Sequence, residues 1–133
     1  MAASITPYRS QRRWPAALAL IVTAAVHIPV TPEHLREAPY IGLLFLALTG
    51  ACLVLSIAIL AFDVPAVWLL SGAVSAAAVL AYALSRTVAL PQIGDDVGRW
   101  FEPLGIAAIC AETLTAVMAA AVLLRQRGHY TTP

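Results

Sequence analysis

The stretch Ala24–Gly42, AAVHIPVTPEHLREAPYIG, gathers His27, His34, Glu33, Glu37 and Arg36 between two apolar segments. Imidazole nitrogens ligate metals and titrate near neutrality, and carboxylates add oxygen donors or carry protons. Glu33, His34 and Glu37 fall at helical spacing, and His27 lies seven residues before His34. A further acid, Glu112, follows Pro103 by nine residues within another apolar run, roughly 13 Å along a helix. A carboxylate at that depth in a bilayer costs on the order of 3 kcal/mol, so it calls for a functional reason. His27, His34, Glu37 and Glu112 together form a nitrogen and oxygen donor set suited to zinc, copper, iron or manganese. Their spacing matches no established ligand motif. A proton site, a hydrogen-bonded acid joining two helices and a contact with a partner stand beside the metal reading.

Around these four, the expected lining is Glu33, Tyr82, Arg86, Asp95, Asp96, Arg99 and Glu102. Arg86 either snorkels to lipid headgroups or turns inward to pair with Glu112, Glu37 or Asp95. Cys52 and Cys110 stand alone in apolar runs with no C-x-x-C, and read as small apolar residues. There is no glycine-rich phosphate loop and no nucleophile elbow, so no catalytic residue is assigned. The net charge of +1 offers no footprint for nucleic acid.

The elements that must hold these side chains follow from composition. Of 133 residues, 61% are hydrophobic and only 11% charged, with a mean hydropathy of +0.84. A soluble domain carries about a quarter charged residues. Lipid is therefore the expected solvent. Four apolar runs, 14–30, 40–62, 65–84 and 104–124, approach the roughly 20 residues that span a hydrocarbon core. None alternates with the period of a barrel strand. The expected fold is all-α: a four-transmembrane-helix bundle, one integral membrane domain over 1–133, with outer loops 31–39 and 85–103.

Arg12-Arg13 before the first run resembles the flank of a secretory signal, and TAA at Thr23–Ala25 resembles a cleavage site. The apolar run continues past that site, which favours an uncleaved span. Arg9, Arg12, Arg13, Arg125 and Arg127 flank the outermost runs. The positive-inside rule then places both termini in the cytoplasm. Every cationic residue apart from histidine is arginine, and alanine is abundant, as in proteins from GC-rich bacterial genomes. The bacterial cytoplasmic membrane is the expected location.

The two outer loops share a layout. Glu37-Ala38-Pro39 with Gly42, and Glu102-Pro103 with Gly105, each put an acid before a proline and a glycine inside the following helix. Proline suits the first turn and a carboxylate meets the positive end of the helix dipole. Common helix-start grammar accounts for the likeness, as does a duplicated hairpin. Short interfacial helices are expected in both loops, one capped by Thr31 between Pro32 and Pro39. Asp95 or Asp96 is expected to cap the other, which would carry Arg99, Trp100 and Phe101. Within the spans, small and polar residues form stripes: Gly42, Thr49, Ser56 and Asp63 in the second, Ser71, Ser75, Tyr82 and Arg86 in the third, Gly105, Ala108, Glu112, Thr115 and Ala119 in the fourth. Such stripes are what membrane helices use for close approach.

PEHLREAPYIG and SRTVALPQIGDDVGRWFEPLG resemble uncharacterised small four-span integral membrane proteins of actinobacteria. The resemblance covers most of the chain and implies an intact four-span protein, but brings no activity. Three functions fit. The first is an outward-facing polar site for a metal cation or proton. The second is an accessory or scaffold subunit of a larger membrane complex, docking through its outer loops. The third is a homo-oligomeric small-solute carrier.

Overall fold

The computed structural model describes residues 9–130, with side chains described as far as Gln126. The side chain of Arg127 in the charge count lies outside that range. The chain is helical, with no strand among the described residues: α1 (Arg13–His27), α2 (Thr31–Glu37), α3 (Pro39–Ala61), α4 (Pro65–Thr87), a 3-10 turn (Gly94–Asp96) and α5 (Pro103–Tyr130). Prolines open α3, α4 and α5, where their missing N–H costs nothing.

Three helices, α3, α4 and α5, are long and apolar enough to cross a membrane. The 23 residues of α3 extend about 35 Å. The first expected span, 14–30, is shorter than anticipated: α1 has 15 residues and covers only about 22 Å. It reaches spanning length only together with α2, from which it is bent by 49°. Pro29 and Pro32 each remove a backbone donor at that break.

A short helix does form where one was expected between Pro32 and Pro39, as α2, but Thr31 does not cap it. Its hydroxyl instead donates back to the carbonyl of His27 at 2.7 Å, stitching α2 to the end of α1. The expected helix of the second loop does not form. Asp95 and Asp96 lie in the 3-10 turn, and Gly98 takes φ +81°, which breaks any continuation through Arg99, Trp100 and Phe101.

The interior is built from small and weakly polar residues, the surface from large aliphatic ones. Ala16, Ala19, Thr23, Ser56, Ser71, Ser75, Ala108 and Thr115 are buried, while Ile57 and Leu80 are each 70% exposed. In water this inversion would cost most of the hydrophobic driving force. In lipid it is the ordinary arrangement, since apolar side chains gain nothing by leaving the hydrocarbon. At Gly72 a methyl group would come within 2.8 Å of the Ala119 side chain, so α4 and α5 meet nearly backbone to backbone.

Helix α1 packs between α3 and α5, and α4 packs on α5. Although a short turn joins α3 to α4, these two pack only sparsely. A gap therefore opens between them.

At the other end, this turn is tied down. Asp63, at φ +47°, accepts hydrogen bonds from the Ser10 backbone N–H at 2.5 Å and the Trp68 indole N–H at 2.6 Å. Trp68 is fully buried against Ala16, Ala17, Ile59, Met118, Ala119 and Val122.

Candidate functional site

The gap between α3 and α4 leads into a cavity of about 610 Å³. Its walls are mainly aliphatic, including Leu44 and Leu48 of α3, Val74 and Ala78 of α4 and Ala108 of α5. Polar groups reach it at two levels. Arg86, Asp96 and Glu102 line it at the outer end, and Glu112 lines it deeper in the bundle. Glu112 follows Glu102 by ten positions, about 15 Å along α5.

Arg86 organises the outer level. It is only 6% exposed, and its guanidinium meets Asp96 at 2.8 Å and Glu102 at 3.0 Å. The same group lies over the Tyr82 ring, 4.5 Å from its centroid, and its carbonyl accepts from the Gly98 N–H at 2.9 Å. A planar fork with several donors suits two carboxylates and an aromatic face at once. Of the two alternatives, then, Arg86 turns inward, but its partners are neither Glu112 nor Glu37 nor Asp95. The Gly98 N–H bond to the Arg86 carbonyl holds the loop over the end of α4 with Asp96 half-buried, while Asp95 is exposed.

Tyr82 is fixed from three sides. Its hydroxyl donates to the Trp100 carbonyl at 3.0 Å, Arg86 covers its face, and Gly105 of α5 presses its edge. A β-carbon at position 105 would lie 2.7 Å from Tyr82 Cε2. Gly105→Ala is therefore expected to destabilise the protein by about 1–3 kcal/mol through overpacking, read as a lower thermal midpoint in detergent. Adding Tyr82→Ala should remove most of that increment, since the ring is the obstacle. Gly42 plays a comparable part beneath α2, where a β-carbon would meet the Leu35 backbone nitrogen at 2.6 Å. Tyr40 links the two outer loops, donating its hydroxyl to the Pro91 carbonyl at 2.6 Å.

The two histidines come together, but around an aromatic ring. Both flank Phe45, with ring centroids 4.8 Å from His27 and 4.9 Å from His34. Each Nδ1 lies 2.8 Å from the carbonyl four residues earlier, Thr23 for His27 and Val30 for His34. Glu33 and Glu37 point away and are exposed. Among the described residues, no three histidine, cysteine or acidic side chains are disposed to hold a metal ion. The expected centre of His27, His34, Glu37 and Glu112 thus does not assemble. Glu37 stays outside the cavity, while His27, His34 and Glu112 all line it without grouping into a ligand set.

Glu112 is 2% exposed. Among the described residues, no side chain or backbone group donates a hydrogen bond to its carboxyl and no cation pairs with it. Neighbouring Thr115 turns its hydroxyl to the Ala111 carbonyl at 3.0 Å, so it does not serve Glu112. Of the remaining expected lining residues, Arg99 lies exposed on the outer loop, outside the cavity.

Phe45 was not marked by the sequence, because an aromatic in an apolar span carries no polar signal. The contact between Tyr82 and Gly105 was equally silent, although both belonged to the small and polar stripes. No protein-family model matches the chain, and neither a curated protein nor a solved structure is similar to it.

Proposed function

We propose that this chain is a four-span protein of the bacterial cytoplasmic membrane whose outward-facing cavity carries a proton or a cation on Glu112. In this reading α1 with α2 makes the fourth span, and both termini lie in the cytoplasm on the arginine count. Likeness to the small actinobacterial four-span proteins, and a two-hairpin layout pairing α1 with α3 and α4 with α5, belong to the same proposal.

One observation carries it. Glu112 is buried in the cavity wall with no protein partner among the described residues, whereas Arg86, Asp96 and Glu102 pair with one another. A structural acid joining two helices would show a hydrogen bond to the neighbouring helix, and an ionised one would show a cation. An unmatched carboxyl facing a cavity is instead suited to take up something from it.

Infrared difference spectroscopy on the purified protein tests this. A carboxylic acid C=O band that exchanges for carboxylate bands as the pH is raised is expected. That band should vanish in Glu112→Gln while the protein keeps its fold. A titrating band that survives in Glu112→Gln, or no such band in the wild type, would sink the proposal.

A further inference from the structure

We infer that the cavity takes a lipophilic amine in its ammonium form, with the cation on Glu112 and the alkyl body between α3 and α4. The inference rests on the reading of Glu112 given above and names the class of molecule the site accepts.

Charge balance supplies the first argument. The cavity's fixed charges are Arg86 against Asp96, Glu102 and Glu112. Arg86 is committed to Asp96 and Glu102, at 2.8 and 3.0 Å, so an ionised Glu112 is left without a counter-charge. A desolvated carboxylate gains most from a cation that arrives with its own apolar body, because the complex then buries no net charge. An anionic headgroup would meet an excess of acids.

Shape supplies the second. From Glu102 to Glu112 is about 15 Å along α5, close to the reach of a medium-length alkyl chain, and the lining is mostly aliphatic with the Phe45 and Tyr82 rings among it. The volume of about 610 Å³ exceeds what a hydrated inorganic ion needs and suits a small amphiphile. Sparse packing of α3 on α4 leaves a side entrance from the lipid phase. An alkylammonium can thus enter tail and all without crossing the ion-paired outer end. A protonated Glu112 gives up its proton on binding: the O–H bond breaks, the proton leaves to solvent, and the carboxylate pairs with the ammonium.

Other titratable groups meet the same space and must be separated from Glu112. They are His27 from α1, His34 from α2, Tyr40 from α3 and Tyr82 from α4, beside the charged Arg86, Asp96 and Glu102. Glu112→Gln isolates its share.

Decylamine and decanol, matched in chain length and differing in the charged head, are the probes. They are added to the full chain in lipid nanodiscs, with melting temperature and the carboxyl infrared bands recorded together. Decylamine is expected to raise the melting temperature, convert the Glu112 acid band to carboxylate and release one proton per chain. Decanol should leave the band in place, and Glu112→Gln should bind decylamine at least tenfold more weakly while Glu112→Asp retains it. If both probes stabilise wild type and Glu112→Gln alike with no change in the band, the cavity reads only apolar length and the inference is overturned. If the band titrates with pH but ignores decylamine, the amine is wrong while the proton site stands. If no band titrates at all, both fail.

Discussion

Arg86→Met is expected to be among the most damaging single substitutions at this end of the bundle, lowering stability by about 2–4 kcal/mol. Methionine fills most of the arginine volume, so the loss is not a cavity. It is the stranding of two carboxylates. Asp96, 22% exposed, loses a partner at 2.8 Å, and Glu102, 54% exposed, loses one at 3.0 Å. The better-shielded Asp96 dominates, since water already screens much of the Glu102 pair. The 3-10 turn and the reversal at Gly98 are anchored to the end of α4 largely through this guanidinium, so the second outer loop should loosen with it. Hydrogen exchange should rise over 93–102 while α1 and α3 keep their protection. A triple replacement, Arg86→Met with Asp96→Asn and Glu102→Gln, should recover a sizeable part of the loss, because no unpaired charge remains. Arg86→Lys should recover little, since one ammonium cannot fork to both carboxylates and also cover the Tyr82 ring. If Arg86→Met melts like the wild type, the ion pairs are ornaments of an already stable loop.

The periodicity of polar and small residues made the interior legible from sequence. Ser56, Ser71, Ser75, Glu112 and Thr115 stand on the polar stripes and are buried, while Thr49, Asp63, Tyr82 and Gly105 of the same stripes are half-buried. That works because in lipid the polar minority goes inward, so a short list of exceptions defines the packed face of each helix. Glu112 stood out for the same reason. Partner choice was not legible. Whether Arg86 meets Asp95 or its neighbour Asp96 depends on the path of the loop from Thr87 to the 3-10 turn, which includes a positive φ at Gln92 that spacing does not announce. Nor could spacing tell that His27 and His34 converge on Phe45 instead of on Glu37. Seven residues separate them in sequence, but a 49° bend between α1 and α2 sets their relation in space. The short α1 was hidden too, since hydropathy runs on through Ile28, Pro29 and Val30 after the helical hydrogen bonds have stopped.

Asp63→Ala should damage the opposite end, by about 2–3 kcal/mol, and by a different route. The carboxylate holds two donors, the Ser10 N–H and the indole N–H of Trp68. With Asp63 gone, the indole N–H is stranded beneath the α3–α4 turn, and Trp68 has nowhere to turn because Ala16, Ala17, Ile59 and Met118 pack around it. A buried donor without an acceptor costs more than the average hydrogen bond contributes. Asp63 also sits at φ +47°, a conformation that asparagine tolerates better than alanine does. Asp63→Asn keeps the backbone preference and one acceptor oxygen, so it should lose only about half as much as Asp63→Ala. Trp68→Phe in the Asp63→Ala background should cost little further, having removed the stranded N–H, while Trp68→Phe alone should cost about 1–2 kcal/mol. Tryptophan fluorescence reports the same event, with the buried indole emission shifting to the red in Asp63→Ala. Because Ser10 is tied to the same carboxylate, the segment leading into α1 should become more open to proteolysis. An unchanged melting temperature in Asp63→Ala would mean that the packing of Trp68 alone holds this end closed. The gap between α3 and α4 is framed by the packing of α3 on α1, α1 on α5 and α4 on α5, and the Asp63 turn adds a covalent and hydrogen-bonded tie at one end. Asp63→Ala should therefore also weaken decylamine stabilisation at the far end, although Asp63 does not line that cavity.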